Sequence, residues 1–344
     1  MNIKTTCRAA ALLIATAIAT PAFAGDTQVS GKIYFDYSSA SKTVGNVKTT
    51  NIGGNLTRTY LQVKHKLDDT WTATFKVDSA YEVNNKKKTG VYVKTAQLSG
   101  SFMPELNVKF GVIGTPWIGH QEHLEGHRYI TKTFVDTQGL DSSADAGIGI
   151  YGKVADGLFN YTITEVNGKG YGDIKRGGSQ DLNARIGFAP VEGLTIDFGF
   201  RDGYMGAKGT TQTPTTGLTK YTLTQAMVTY GMGHDFRVGA DYIVDNAKTN
   251  GASTKLKGLS AFGWYNFTDQ FGAFVKYETA KLSGAAGTLK KMTGRATEKT
   301  TVVSLDYKAS KKVLLSLAYT NIKDLHGVAG DKDVIAGVYS QFKF

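Results

Sequence analysis

The densest set of side chains able to do chemistry lies between Gly114 and Ser143. Pro116, Trp117, His120, Glu122, His123, Glu125, His127, Arg128, Asp136 and Asp141 crowd that one segment, and half of the chain's six histidines fall within eight residues of it. The spacing of His120, His123 and His127, i, i+3 and i+7, would place three imidazoles on one face of a short helix, with Glu122 and Glu125 beside them. Imidazole suits Zn²⁺ or another divalent ion, and a carboxylate or water could complete the shell. However, Gln121 follows His120, so the pattern is not His-Glu-x-x-His, and Gly126 works against a helix that reaches His127. No metal and no cofactor is therefore assigned. Two other readings stand beside metal binding: imidazoles that charge near pH ~6.5 and gate ion flow, or side chains that pack a loop and wet a cavity.

Other chemistry has less to work with. No Gly-x-Ser-x-Gly elbow presents a nucleophilic serine, so no catalytic residue and no enzyme activity is assigned. Gly168-Lys169-Gly170-Tyr171-Gly172 resembles a phosphate cradle but has no helix after it. The only cysteine, Cys7, precedes an apolar stretch near the start, which removes disulfides and thiol chemistry from the rest. Lys86-Lys87-Lys88 and Lys290-Lys291 could meet lipopolysaccharide phosphates, and nucleic-acid binding is not needed to explain them.

The elements that must position these groups follow from charge and period. Residues 1–24 read as a secretory signal: Lys4 and Arg8, an apolar Ala9 to Ala19, then Ala22-Phe23-Ala24 before a cut. The mature chain then starts at Gly25. The formal charge is +11 over 344 residues, or +9 without Lys4 and Arg8. No apolar run reaches the ~18 residues of a membrane-spanning helix. From Gly25 to Phe344 the dominant pattern is instead two-residue alternation in runs of about ten. Val29, Ile33, Phe35 and Tyr37 form a greasy face, and Gln28, Ser30, Lys32, Tyr34 and Asp36 a wet one. Sixteen such runs are separated alternately by seven tight turns and eight long polar loops, among them Ser38 to Gly54, Asn167 to Ser179, Asp202 to Lys220 and Ser283 to Glu298. Strands of ~9–11 residues with one apolar face fit a tilted antiparallel barrel in a membrane, where every backbone N–H and C=O must pair within the wall. The fold class is all-β, a transmembrane antiparallel β-barrel of sixteen strands forming one domain over residues 25–344. Tyr37, Tyr242, Tyr277, Tyr307 and Tyr319 sit at strand ends, as interfacial girdles require.

With its leader, a final strand running Val334 to Phe344 and a long connection after the fifth strand, the chain resembles the sixteen-stranded general diffusion porins of Gram-negative outer membranes. A terminal Phe344 closing an alternating strand resembles the signal read by barrel-assembly machinery, although Ser340 breaks the apolar phase. The resemblance implies an outer-membrane homotrimer for passive passage of small hydrophilic solutes and ions, with lipid and lipopolysaccharide around it. It also implies that the third long loop, Gly114 to Ser143, folds into the lumen and sets the pore size.

The wet phase of the first five strands supplies Lys32, Arg58, Lys64, Lys76 and Lys109 against Asp36 and Asp78. Facing them, the resemblance places an acidic loop with Glu122, Glu125, Asp136 and Asp141, and with Arg128, giving a transverse field at the constriction. In later strands Arg185, Arg201, Arg237 and Lys276 nearly cancel Asp197, Asp241, Glu278 and Asp306. A weak anion preference is the expected sign. The alternative is a plugged or narrow barrel of surface-binding, adhesin type. A plug would need more large apolar residues on the wet phase than the sequence reading finds.

Overall fold

The computed structural model describes residues 26–81, 89–206, 218–284 and 298–344. The expected leader, the two lysine runs and the centres of the loops Asp202 to Lys220 and Ser283 to Glu298 lie outside the described residues. The strands are β1 Thr27–Val44, β2 Val47–Lys66, β3 Trp71–Tyr81, β4 Thr89–Met103, β5 Leu106–Gly114, β6 Ala144–Val154, β7 Phe159–Val166 and β8 Asp181–Phe188. They continue as β9 Leu194–Gly203, β10 Lys220–Met232, β11 Phe236–Thr249, β12 Ala252–Asn266, β13 Phe271–Gly284, β14 Glu298–Ser310, β15 Val313–Lys323 and β16 Lys332–Lys343. Each pairs antiparallel with its sequence neighbours, and β1 pairs with β16, so the sheet closes into a sixteen-stranded barrel. Closure leaves no open edge, which is what a wall in hydrocarbon requires.

Alternation sorts the two faces. Phe198, Leu305, Leu317 and Val338 are more than half exposed on the outside, whereas Asp197, Arg201 and Asp241 are all but fully buried on the inside. The off-phase Ser340 has a use: its hydroxyl donates to the Phe35 carbonyl at 3.0 Å, beside a bulge at Tyr34/Phe35 that disturbs the β1–β2 ladder.

All seven tight turns fall where the sequence puts them, but two of the eight long loops do not exist. Most of Ser38 to Gly54 continues β1 and β2, paired through Val44↔Val47, and β11 runs into β12 through Asn250-Gly251. These strands reach 14 to 20 residues, longer than a bare span. Once both faces meet water, apolar alternation ends while the backbone ladder continues, so the polar sequence read as loop. Asn250 (φ 48°) and Gly251 (φ 82°) are both left-handed, the turn that matches strand twist. A Cβ on Gly251 would meet no atom, so Gly251→Ala isolates backbone strain. Unfolding in urea should show a loss of about 1–2 kcal/mol; an unchanged midpoint would contradict the turn assignment.

Candidate functional site

The connection after β5 runs from Thr115 to Ser143, with the boundaries expected from the sequence. Thr115 closes its base by donating from N–H to the Ser143 carbonyl and from its hydroxyl to the Ser142 carbonyl. The loop holds two short helices, α1 Ile118–Glu125 and α2 Phe134–Thr137. Gly126, at φ 74°, ends α1 in a left-handed cap. His127 therefore lies past the helix, and the three imidazoles part. His120 Nε2 sits 3.0 Å from Asp197, His123 points to open space, and His127 is buried. No cluster of three metal-ligating side chains forms among the described residues. His127 has an oxygen within reach of each ring nitrogen, the Glu125 carbonyl at 2.9 Å and the Asp306 carboxylate at 2.8 Å. Desolvation and the Arg237 guanidinium lower His123 from the usual imidazole range.

The loop lies against the inner wall of one half of the barrel. Trp117, Ile118, Leu124, Phe134, Val135 and Leu140 form one core with Leu223, Met227, Ile243, Leu256, Phe262, Phe274 and Val302. Those partners occupy the inward phase of β10 to β14, because they pair across the ladder with inward polar residues: Leu223 with Arg201, Met227 with Asp197, Phe262 with Lys276. Gly258 makes room for the Phe134 ring, which stands 2.2 Å from where a Cβ would be. The wet phase thus carries more large apolar side chains than the sequence reading found, and they seat a loop along one side.

Polar anchors fix the register of that contact. Gln121 donates to Asp241 at 2.9 Å, the Trp264 indole to the Leu124 carbonyl at 3.3 Å, and Gln138 to Glu298 at 2.7 Å. Lys276, fully buried, lies 2.9 Å from Glu125 and 2.8 Å from Glu278 and donates to the Lys132 carbonyl at 2.7 Å. A buried ammonium needs this much company. Asp306 gathers His127 and the hydroxyls of Ser304 and Ser316.

These anchors redistribute the expected site residues. Glu125 faces the wall and not the lumen; burial outweighs the Lys276 ammonium and pushes its carboxyl up to about 7. Asp141 accepts from the Ser142 N–H and is pushed up to about 6 by burial, with Arg201 opposing the shift. Lys109 donates to the Gly114 carbonyl at 2.8 Å, buttressing the loop base. Lys64 is exposed, opposite Thr74 across the ladder, and Arg58 is spent on Asp78 at 2.8 Å and the Tyr92 hydroxyl at 2.7 Å. Arg128 bridges Glu122 at 2.7 Å and Asp136 at 3.2 Å.

Between the loop and β1 to β4 lies a cavity of about 570 Å³, lined among others by Lys32, Lys76, Lys94, Lys343, Tyr34, Tyr60 and Glu122. Of the expected charges, Lys32, Lys76 and Glu122 meet there. Lys94 escaped the sequence because it shares the parity of the outward Ala96 and Leu98; a bulge opposite Lys76/Val77 turns it inward. Lys343 could have been found, since it alternates with Phe342 and Phe344. A second loop adds to this side. The Asp145 carboxylate accepts from the Ala146 N–H at 2.6 Å and lies beside the N–H groups of Gly168, Lys169 and Gly170, the stretch noticed in the sequence. The next residue, Tyr171, stacks on Tyr92 (5.5 Å, 8°) under the Lys94 ammonium, 3.8 Å from the ring centroid.

The Glu125 shift has a testable sign. The folded barrel keeps a proton at Glu125 that the unfolded chain releases, so this group favours folding below about 4.5 and the advantage fades as pH rises to about 7. Unfolding free energies across that window should fall for the wild type and fall less steeply for Glu125→Gln. Identical slopes would place Glu125 in water.

No protein-family model and no curated protein matches the sequence. Solved structures do. An anion-selective porin from Comamonas acidovorans is similar over 93% of this chain and 100% of its own (TM-score 0.69, 13% identity). OmpF of Salmonella typhi, solved with daunomycin, is similar over 93% and 98% (TM-score 0.65, 12% identity). A loop-deletion mutant of OmpT, an outer membrane protein of Vibrio cholerae, is similar over 93% and 100% (TM-score 0.64, 15% identity). The chain has the fold these proteins share, a closed sixteen-stranded porin barrel.

Proposed function

We propose that this chain is an outer-membrane porin, a water-filled channel for passive diffusion of small hydrophilic solutes and ions with a weak preference for anions. The observation that carries this is the cavity beside β1 to β4: the loop is seated on β10 to β14, reaches β1, β15 and β16 through Tyr129, and leaves that cavity between. Four lysines line it against one side-chain carboxylate, Glu122, which Arg128 already engages. Such a wall raises the local anion concentration and slows cations. The net charge of +9 without Lys4 and Arg8 and the likeness to a porin described as anion-selective support the same sign. Export through a leader cleaved after Ala24, assembly as a homotrimer and contact with lipopolysaccharide belong to this reading and rest on the sequence resemblance. Selection is steric and electrostatic, with no conformational cycle.

Single-channel recording in planar bilayers with asymmetric KCl tests it. Stepwise openings with a reversal potential on the chloride side are expected, and Glu122→Gln should move that potential further toward chloride. Silent insertion of folded protein, or a wild-type potential on the potassium side, would overturn the reading.

A further inference from the structure

The lysines of the passage are crowded without acidic partners. Lys32 stands directly across the ladder from Lys343 on the same face, the arrangement in which like charges destabilise a sheet. Lys76 on β3 and Lys94 on β4 line the same space two and three strands round from β1. Among the described residues no side-chain carboxylate pairs with any of the four, and the one acidic side chain lining the passage, Glu122, is held by the Arg128 guanidinium at 2.7 Å. By contrast the fully buried Lys276 and the buried Arg185 and Arg201 each face a carboxylate within 3.2 Å, whereas Lys32 and Lys343 are exposed and Lys76 and Lys94 half-buried. The remaining lining adds hydrogen-bond donors: the hydroxyls of Tyr34, Tyr60, Thr74 and Thr95 and the amides of Gln62 and Gln97.

We propose, on the basis of the porin reading above, that this face is a binding site for small oxyanions carrying two negative charges, the class of inorganic phosphate, sulfate and phosphate monoesters. A single negative charge leaves most of the lysine repulsion in place. A dianion bridges ammonium groups from β1, β3, β4 and β16 at once, and its oxygens accept from ammonium and hydroxyl together. The site therefore retains such solutes briefly during passage, where chloride only drifts through.

The test is block of the chloride current through the full-length protein in planar bilayers by sulfate, phosphate or nitrate at matched ionic strength. Sulfate is a dianion throughout, so it should block saturably both at about pH 8 and at about pH 5; phosphate should block well only at the higher pH, where it carries its second charge. That pairing separates the charge of the solute from titration of the groups facing the passage, Glu122 and the four lysines. Lys76→Gln and Lys94→Gln should each raise the half-blocking concentration about tenfold. Lys76→Arg should preserve the block, and Lys248→Gln, on the exposed end of β11 across the barrel, should leave it unchanged. Each variant's chloride conductance shows that it has folded. A conducting channel in which sulfate acts no more strongly than nitrate, or in which block is indifferent to Lys76→Gln and Lys94→Gln, overturns this proposal and leaves the porin reading standing. A folded wild type that opens no channel overturns both.

Discussion

Everything about the lumen depends on how the loop from Thr115 to Ser143 is held. A closed barrel of sixteen strands satisfies its own backbone, but its interior is wide, and what fills it must be fastened by side chains. Here the fastening is a buried apolar contact, Phe134 and its neighbours against the inward face of β10 to β14, threaded with charged and amide anchors. Apolar burial supplies the larger favourable term. The anchors add direction, because a misplaced loop would strip Lys276, Asp241 and Asp306 of the partners that the loop supplies, Glu125, Gln121 and His127.

That division explains where the charge goes. The loop is rich in acids, yet Glu125 and Asp141 are spent against the wall or within the loop, and Asp136 shares Arg128 with Glu122. Only Glu122 reaches the passage. On the opposite wall Arg58 and Lys109 are likewise spent, on Asp78 and on the Gly114 carbonyl, and the lysines that remain are unpaired. A residue's formal charge thus matters to a permeating ion only after the structure's own ion pairs have been subtracted. The field left over is basic on one side and close to neutral on the other.

The barrel was legible in the sequence because its cause is periodic: a wall between lipid and water imposes alternation on every strand, and tight turns mark one rim. The ends of β1, β2, β11 and β12 were not legible, since above the membrane both faces meet water and the alternation that signals a strand disappears. Within the site, Lys32, Lys76 and Glu122 were found by phase and by the loop's composition. Lys94 was lost to a one-residue bulge that reverses its face, and Tyr171 to a loop that lies beside Asp145, far off in sequence. The histidines misled for a related reason. Their spacing assumes an unbroken helix, and Gly126 ends it one residue before His127.

The central claim is that ions travel along β1 to β4 while the inner face of β10 to β14 is sealed under the loop. Since Cys7 is the only cysteine and lies in the expected leader, single cysteines can be placed on either face without background. Lys76→Cys lines the passage; Ser260→Cys points to the same lumen from β12, at 0% exposure beneath the loop. The direct measurement is the single-channel current of each during exposure to a charged, membrane-impermeant thiol reagent. Lys76→Cys should react in open channels with a stepwise change in current, and Ser260→Cys should remain unmodified. Modification of Ser260→Cys at the rate of Lys76→Cys would show that the loop does not seal that wall.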